Sequence, residues 1–179
     1  MGDISEPTLV LPLLAAFSRH EAALAWARSK TEDAWGPVAL ESEPFEFVET
    51  DYYEPTMGAG IKKIFWVYER LVDPATLITI KRQTNDWEAE YAAASDHEES
   101  RPLNLDPGYL TLGKLVLAST KDHAHRIYLG QGIYGEVTLQ YRGNQWQEGD
   151  WTFPDYRRAD YHAFFSEARG HLRGRLRER

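Results

Sequence analysis

The chain has 179 residues, 42% hydrophobic and 27% charged, with a net charge of −8 and no cysteine. That size supports a substantial core without staples, so a single domain spanning 1–179 is expected. The missing cysteines exclude disulfides, thiolate metal sites and cysteine nucleophiles. Seven arginines from Arg157 onward, against Asp160, Glu167 and Glu178, give the tail a net +4 and leave −12 on the body. An acidic body argues against general nucleic-acid binding.

In chain order, the apolar run from Thr8 to Phe17 predicts a buried first strand. Acidic rather than basic residues precede it and it is too short to span a bilayer, so no membrane segment and a cytoplasmic protein are expected. Ser18 reads as the N-cap of a helix from about Arg19, with Glu21 completing a capping box, and Gly36-Pro37 stops it. Phe45 to Thr50 alternates as a strand, and Asp51 to Gly60 reads as a loop. Ile61 to Val72 is a strong strand run closed by Asp73-Pro74, which also starts a helix. On that helix Leu77, Ile80, Thr84, Trp87 and Tyr91 form one face, with Lys81, Asn85 and Glu88 beside it.

Ala94 to Ser100 reads as a solvated loop leading to the densest motif of the chain, Arg101 to Leu110. Asn104 and Asp106, two apart on an extended chain, share one face, and Leu103 and Leu105 point to a core. Pro107-Gly108 predicts a turn, and Tyr109 to Ala118 a further strand. Ile127 to Leu129 and Ile133 to Tyr141, joined by Gly130-Gln131-Gly132, predict a hairpin. A final helix is expected to bury Tyr161, Phe164, Phe165, Ala168 and Leu172. The element order β-α-β-β-α-β predicts an α+β fold, a ferredoxin-like sandwich extended by a C-terminal β-hairpin and a terminal helix.

Several phrases in one order bear on ancestry: Thr50-Asp51-Tyr52-Tyr53, Lys81 with Thr84-Asn85 and Glu88, Asn104 to Tyr109, Ala118 to Lys121, His125 to Tyr128, Gly132 to Leu139, and Trp151 to Tyr156. Together they resemble a family of uncharacterised bacterial and archaeal proteins, the domain of unknown function 4416. The resemblance covers nearly the whole chain and implies no activity, ligand or catalytic residue.

The chain's own residues point to an anion pocket. Lys81, Arg101, Lys121 and Arg126 flank the central motif, and guanidinium forks and ammonium groups are the usual partners of phosphate and carboxylate. Asn85, Asn104 and Glu136 complete the candidate ligand-binding set, with Asn104 reading a neutral part of the ligand. The bland alternative pairs these cations with Glu88, Asp106, Asp122 and Glu136 as ordinary ion pairs. If there is catalysis, Asp106 or His125 would handle protons.

His123 and His125, with Asp106 and Glu136, offer an N/O ligand set, but His-x-His in a turn is a weak signal and no metal is assigned. There is no Gly-x-x-x-x-Gly-Lys-Ser/Thr phosphate loop and no Gly-x-Ser-x-Gly elbow. The residues therefore predict a binder of, or enzyme on, a small anionic ligand, with nucleotide-like molecules among the candidates and no cofactor specified. The competing class is a non-enzymatic module that meets protein or RNA through aromatic and C-terminal arginine surfaces.

Overall fold

The computed structural model describes residues 2–178. Its centre is strand β1 (Leu11–Ser18), buried along its whole length. A strand apolar on both faces must be covered on both. Leu11, Leu13 and Ala15 face one core, and Leu14 and Ala16 face another.

The remaining strands are β2 (Val38–Glu41), β3 (Phe45–Glu46), β4 (Lys62–Tyr68), β5 (Asn104–Leu110), β6 (Lys114–Ser119), β7 (Ile127–Gly130), β8 (Ile133–Arg142) and β9 (Gln145–Glu148). They form one antiparallel sheet in the order β2-β4-β1-β5-β6-β8-β7, with β3 also on β4 and β9 also on β8. Helices α1 (Glu21–Trp35) and α3 (Leu77–Ala94) contribute Ala23, Ala27, Trp87 and Tyr91 to the core holding Leu14 and Ala16. Helix α4 (Ala159–Arg177) covers the opposite face with the five residues expected to point inward, Tyr161, Phe164, Phe165, Ala168 and Leu172. The sheet thus lies between two helical layers. The expected C-terminal hairpin and helix are both present.

Several expectations are corrected. Ser18 does not cap α1. Its hydroxyl donates to the Pro102 carbonyl at 2.5 Å, and His20 occupies the N-cap without a side-chain bond. The 51–60 segment contains a short helix, α2 (Glu54–Met57), whose Met57 is buried. Strand pairing after Phe45 stops at Glu46. Along α3 the buried face is Leu77, Lys81, Thr84, Trp87 and Tyr91, so a lysine takes the place expected for Ile80. The cap of the preceding 3-10 turn is as expected, with the Asp73 carboxylate accepting from the Ala75 amide at 2.7 Å.

Pro107-Gly108 does not turn the chain. Both lie inside β5, and the reversal comes after Leu110, where the Thr111 hydroxyl accepts from the Gly113 and Lys114 amides. Gly108 serves a different need, because a Cβ there would stand 2.3 Å from the Val116 carbonyl oxygen. Glycine lets β6 approach the β5 backbone. The β7–β8 and β8–β9 turns carry positive φ at both central residues, Gln131-Gly132 and Gly143-Asn144, as tight hairpins require.

One buried ion pair fastens the 3-10 turn Pro154–Arg157 to the sheet. Lys63 Nζ lies 2.6 Å from Asp155 Oδ2, and the two side chains are 3% and 6% exposed. The Tyr156 and Phe17 rings stand 4.4 and 4.9 Å from that ammonium, so a desolvated cation keeps favourable partners.

Gly108→Ala is expected to lower stability by about 2 kcal/mol through overpacking, read as a reduced urea midpoint with unchanged slope. An unaltered midpoint would mean that β6 does not need the close approach.

Candidate functional site

The site arises where β5 and β6 separate. They pair only from Gly108↔Leu117 to Leu110↔Leu115. Below that point β5 continues on β1 alone through Asn104, and β6 continues on β8 through Ser119. Pro107, which has no N–H to offer a ladder, stands at the last position before pairing begins.

An open strand edge exposes backbone groups that need partners. Helix α3 supplies them at Leu105. Glu88 Oε1 accepts from the Leu105 amide at 2.7 Å, and Lys81 Nζ donates to the Leu105 carbonyl at 3.1 Å. Lys81 also reaches Asp106 Oδ1 at 3.2 Å, and Arg101 reaches Glu88 Oε2 at 2.8 Å. Two α3 side chains, seven residues apart, thus stand in for the missing strand.

Between the parted strands lies a cavity of about 150 Å³. Eight of the nine residues expected to form the site line it: Lys81, Asn85, Arg101, Asn104, Asp106, Lys121, Arg126 and Glu136. The ninth, His125, does not. Its Nε2 lies 3.1 Å from Glu136 Oε2, and its ring stacks on Trp151 at 5.0 Å with 8° between planes. Tyr53, Ser119 and Phe153 also line the cavity. Ser119 was not among the expected ligand-binding residues, because a serine near a turn carries no signal of its own.

Most of the cations are already matched. Arg126 is nearly buried, and its Nε donates to Glu136 Oε2 at 2.6 Å while Nη1 donates to Ser119 Oγ and the Lys121 carbonyl. Lys81 and Arg101 are held by Asp106 and Glu88. Only Lys121, among these four, has no carboxylate partner among the described residues. Its ammonium donates to the Tyr52 hydroxyl at 2.7 Å, which pulls that phenol below its ordinary range.

Asn104 is the second free group. It is 1% exposed, and its carboxamide nitrogen has no hydrogen-bond partner. A buried polar group without a partner is costly and rare.

The ionisable groups divide in two directions. Packing around the Asp106 carboxyl raises its pKa, but the charges of Lys81, Lys63 and Arg101 outweigh this and hold it below the ordinary aspartate value. Burial pushes Glu88 above its ordinary value, against the pull of Lys81 and Arg101. Asp106 is therefore an ionised acceptor near neutrality. The N/O set of His123, His125, Asp106 and Glu136 does not converge among the described residues: only His125 and Glu136 meet, at 3.1 Å.

The model of the family described as Domain of unknown function (DUF4416) matches residues 8–171. The chain belongs to this family. No curated protein and no solved structure matches it. The family match spans every strand and all but the last turns of α4, so the cavity lies wholly within the family region. No helix among the described residues is long and apolar enough to cross a membrane.

Two expectations follow. Arg126→Ala leaves the buried Glu136 with no guanidinium, only His125 and the Thr138 hydroxyl beside it, and should destabilise by about 3 kcal/mol. Adding Glu136→Gln should recover much of that loss in urea unfolding, and a neutral Arg126→Ala would contradict the pairing. For Asp106, a folded pKa below the unfolded value of about 3.9 gives stability that is present above that pH and lost as pH falls through the folded value. The stability gap between wild type and Asp106→Asn should be constant from about pH 7 to pH 5 and shrink below about pH 4. A gap that is unchanged in acid would show that Asp106 is not held by these cations.

Proposed function

We propose that the wedge between β5 and β6 binds a small anionic ligand, with Lys121 meeting its charge and the Asn104 carboxamide meeting a neutral polar group. The observation that carries this reading is the Asn104 side chain, wholly buried yet without a partner for its nitrogen. A bound acceptor would satisfy it, which makes it a natural first contact for a ligand. The ionised Asp106 is suited to accept from a ligand hydroxyl or amine. Lys81, Arg101 and Arg126 are each matched by a carboxylate, so the positive charge left for a ligand is that of Lys121.

Size narrows the class. About 150 Å³ corresponds to roughly five waters of liquid volume, at about 30 Å³ each. A phosphate or carboxylate head with a short polar body fits that space. A nucleotide would leave its base outside, against Tyr53 or Phe153. The reading assigns binding first, since His125 lies outside the wedge and Asp106 is tied to Lys81. We further read β1–α1–β2–β4–α3–β5 as a ferredoxin-like unit. The order β2-β4-β1-β5, antiparallel pairing and the shared core of α1 and α3 support it. The lack of cysteine fits a cytoplasmic residence.

One observation favours a partner-binding role as a second reading. Ile127, Tyr128, Val137 and Trp151 are 72, 59, 49 and 63% exposed around the β7–β8 hairpin, and clustered exposed apolar side chains mark interaction surfaces. The arginine tail supports it less. Arg157, Arg158, Arg169 and Arg175 are bonded to the chain's own carbonyls or carboxylates, and Arg179 lies outside the described residues.

The test is thermal unfolding against inorganic phosphate, sugar phosphates, nucleotides and short carboxylates. A ligand at a hundred times its Kd stabilises by about 2.7 kcal/mol. Lys121→Ala is expected to keep the fold and lose the ligand-induced shift. Asn104→Leu is expected to unfold at higher temperature than wild type without ligand, by about 1 kcal/mol of stability, and also to lose the shift. A flat panel, or a shift that survives both substitutions, would sink the wedge and move the weight to the β7–β8 surface.

A further inference from the structure

A second cluster stands at the other end of the loop that delivers Arg101. His20 immediately precedes α1, and His97 and Glu99 lie between α3 and β5. One donor atom from each lies within 4.8 Å of the others, and no other such trio of histidine and carboxylate occurs among the described residues. His20 Nε2 and Glu99 Oε2 are already 3.0 Å apart. Two ligands of one zinc-sized ion, with bonds of about 2.0 Å, stand about 3.3 Å apart in a tetrahedron.

The imidazoles of His20 and His97 stack face to face, with centroids 3.7 Å apart and planes at 14°. A turn of the His97 ring about χ2, giving up the 3.2 Å contact of its Nε2 with the Tyr91 hydroxyl, would make its lone pair converge with that of His20. One supporting contact resembles the outer bonds that aim metal ligands. Arg19 holds Glu99 Oε1 at 3.1 Å, leaving Oε2 toward the His20 ring. Two imidazoles and one carboxylate form a donor set for late first-row divalent ions, with a fourth position open to water.

We propose that His20, His97 and Glu99 bind a divalent transition-metal ion of the zinc and cobalt class. None of the three lines the wedge, so this site is independent of the anion reading. Its consequence reaches the wedge through the chain. The ion joins the 97–99 segment to the start of α1, beside the point where Ser18 holds Pro102 and the Arg101 amide holds the Thr56 carbonyl. Metal occupancy thereby fixes the segment that places Arg101.

The experiment is titration of the full chain, prepared without a polyhistidine tag, with Zn²⁺ by calorimetry and with Co²⁺ by visible absorption. One ion per chain is expected. His97→Ala and Glu99→Gln should each weaken binding at least tenfold while the far-ultraviolet circular dichroism stays native, and His123→Ala should bind as wild type. Absence of binding, undiminished binding in both His97→Ala and Glu99→Gln, or binding lost in His123→Ala would each overturn the proposal. Failure of anions to shift thermal unfolding leaves this outcome untouched, since the probe is the metal alone.

Discussion

The structure depends on how one opened strand edge is satisfied. Where β6 leaves β5, the amide and carbonyl of Leu105 lose a strand partner and gain Glu88 and Lys81 of α3. Those two side chains must be long, oppositely charged and desolvated to do this. Their charges in turn require Arg101 and Asp106 as counterions. The ion pairs around the wedge therefore follow from a backbone requirement as much as from any ligand. A strand edge capped by side chains leaves space beside it, where continued pairing with β6 would have filled it.

This origin explains why so polar a cavity is nearly neutralised. Lys81, Arg101 and Arg126 hold protein carboxylates, and the groups left over are Lys121 at the mouth and Asn104 in the wall. A ligand here competes with no internal ion pair when it meets these two. The ion pairs behind them are preorganised, so Lys121 can meet an anion without reordering them. The Lys63–Asp155 pair contributes from beneath, since the Lys63 charge also acts on Asp106.

Much of this was legible in the chain. Two-residue alternation placed Asn104 and Asp106 on one face and Leu103 and Leu105 in a core, and the structure has Leu103 and Leu105 fully buried. The inward face of α4 followed from helical spacing alone. Local rules failed where a tertiary demand overrode them. Pro107-Gly108 is a strong turn signal, yet the glycine answers the approach of Val116 and the proline sits where a ladder ends. Lys81 displaced Ile80 from the buried face because a lysine was needed to reach Leu105 and Asp106 across the layer. The pairs separated by 92 and 79 residues, Lys63 with Asp155 and His20 with Glu99, leave no local pattern to read. His125 was drawn into the candidate site by proximity along the chain, whereas its ring stacks on Trp151 and meets the wedge residue Glu136 without lining the cavity.

The central claim is that the wedge beside the opened β5 edge receives a ligand through Asn104. The most direct measurement is the side-chain carboxamide resonance of Asn104 in amide-proton correlation spectra, assigned by its loss in Asn104→Leu, during titration with anions. The account predicts that a binding anion moves this resonance and the Lys121 and Ser119 backbone amides together, with a common dissociation constant. An anion that binds while the Asn104 carboxamide stays fixed would contradict it.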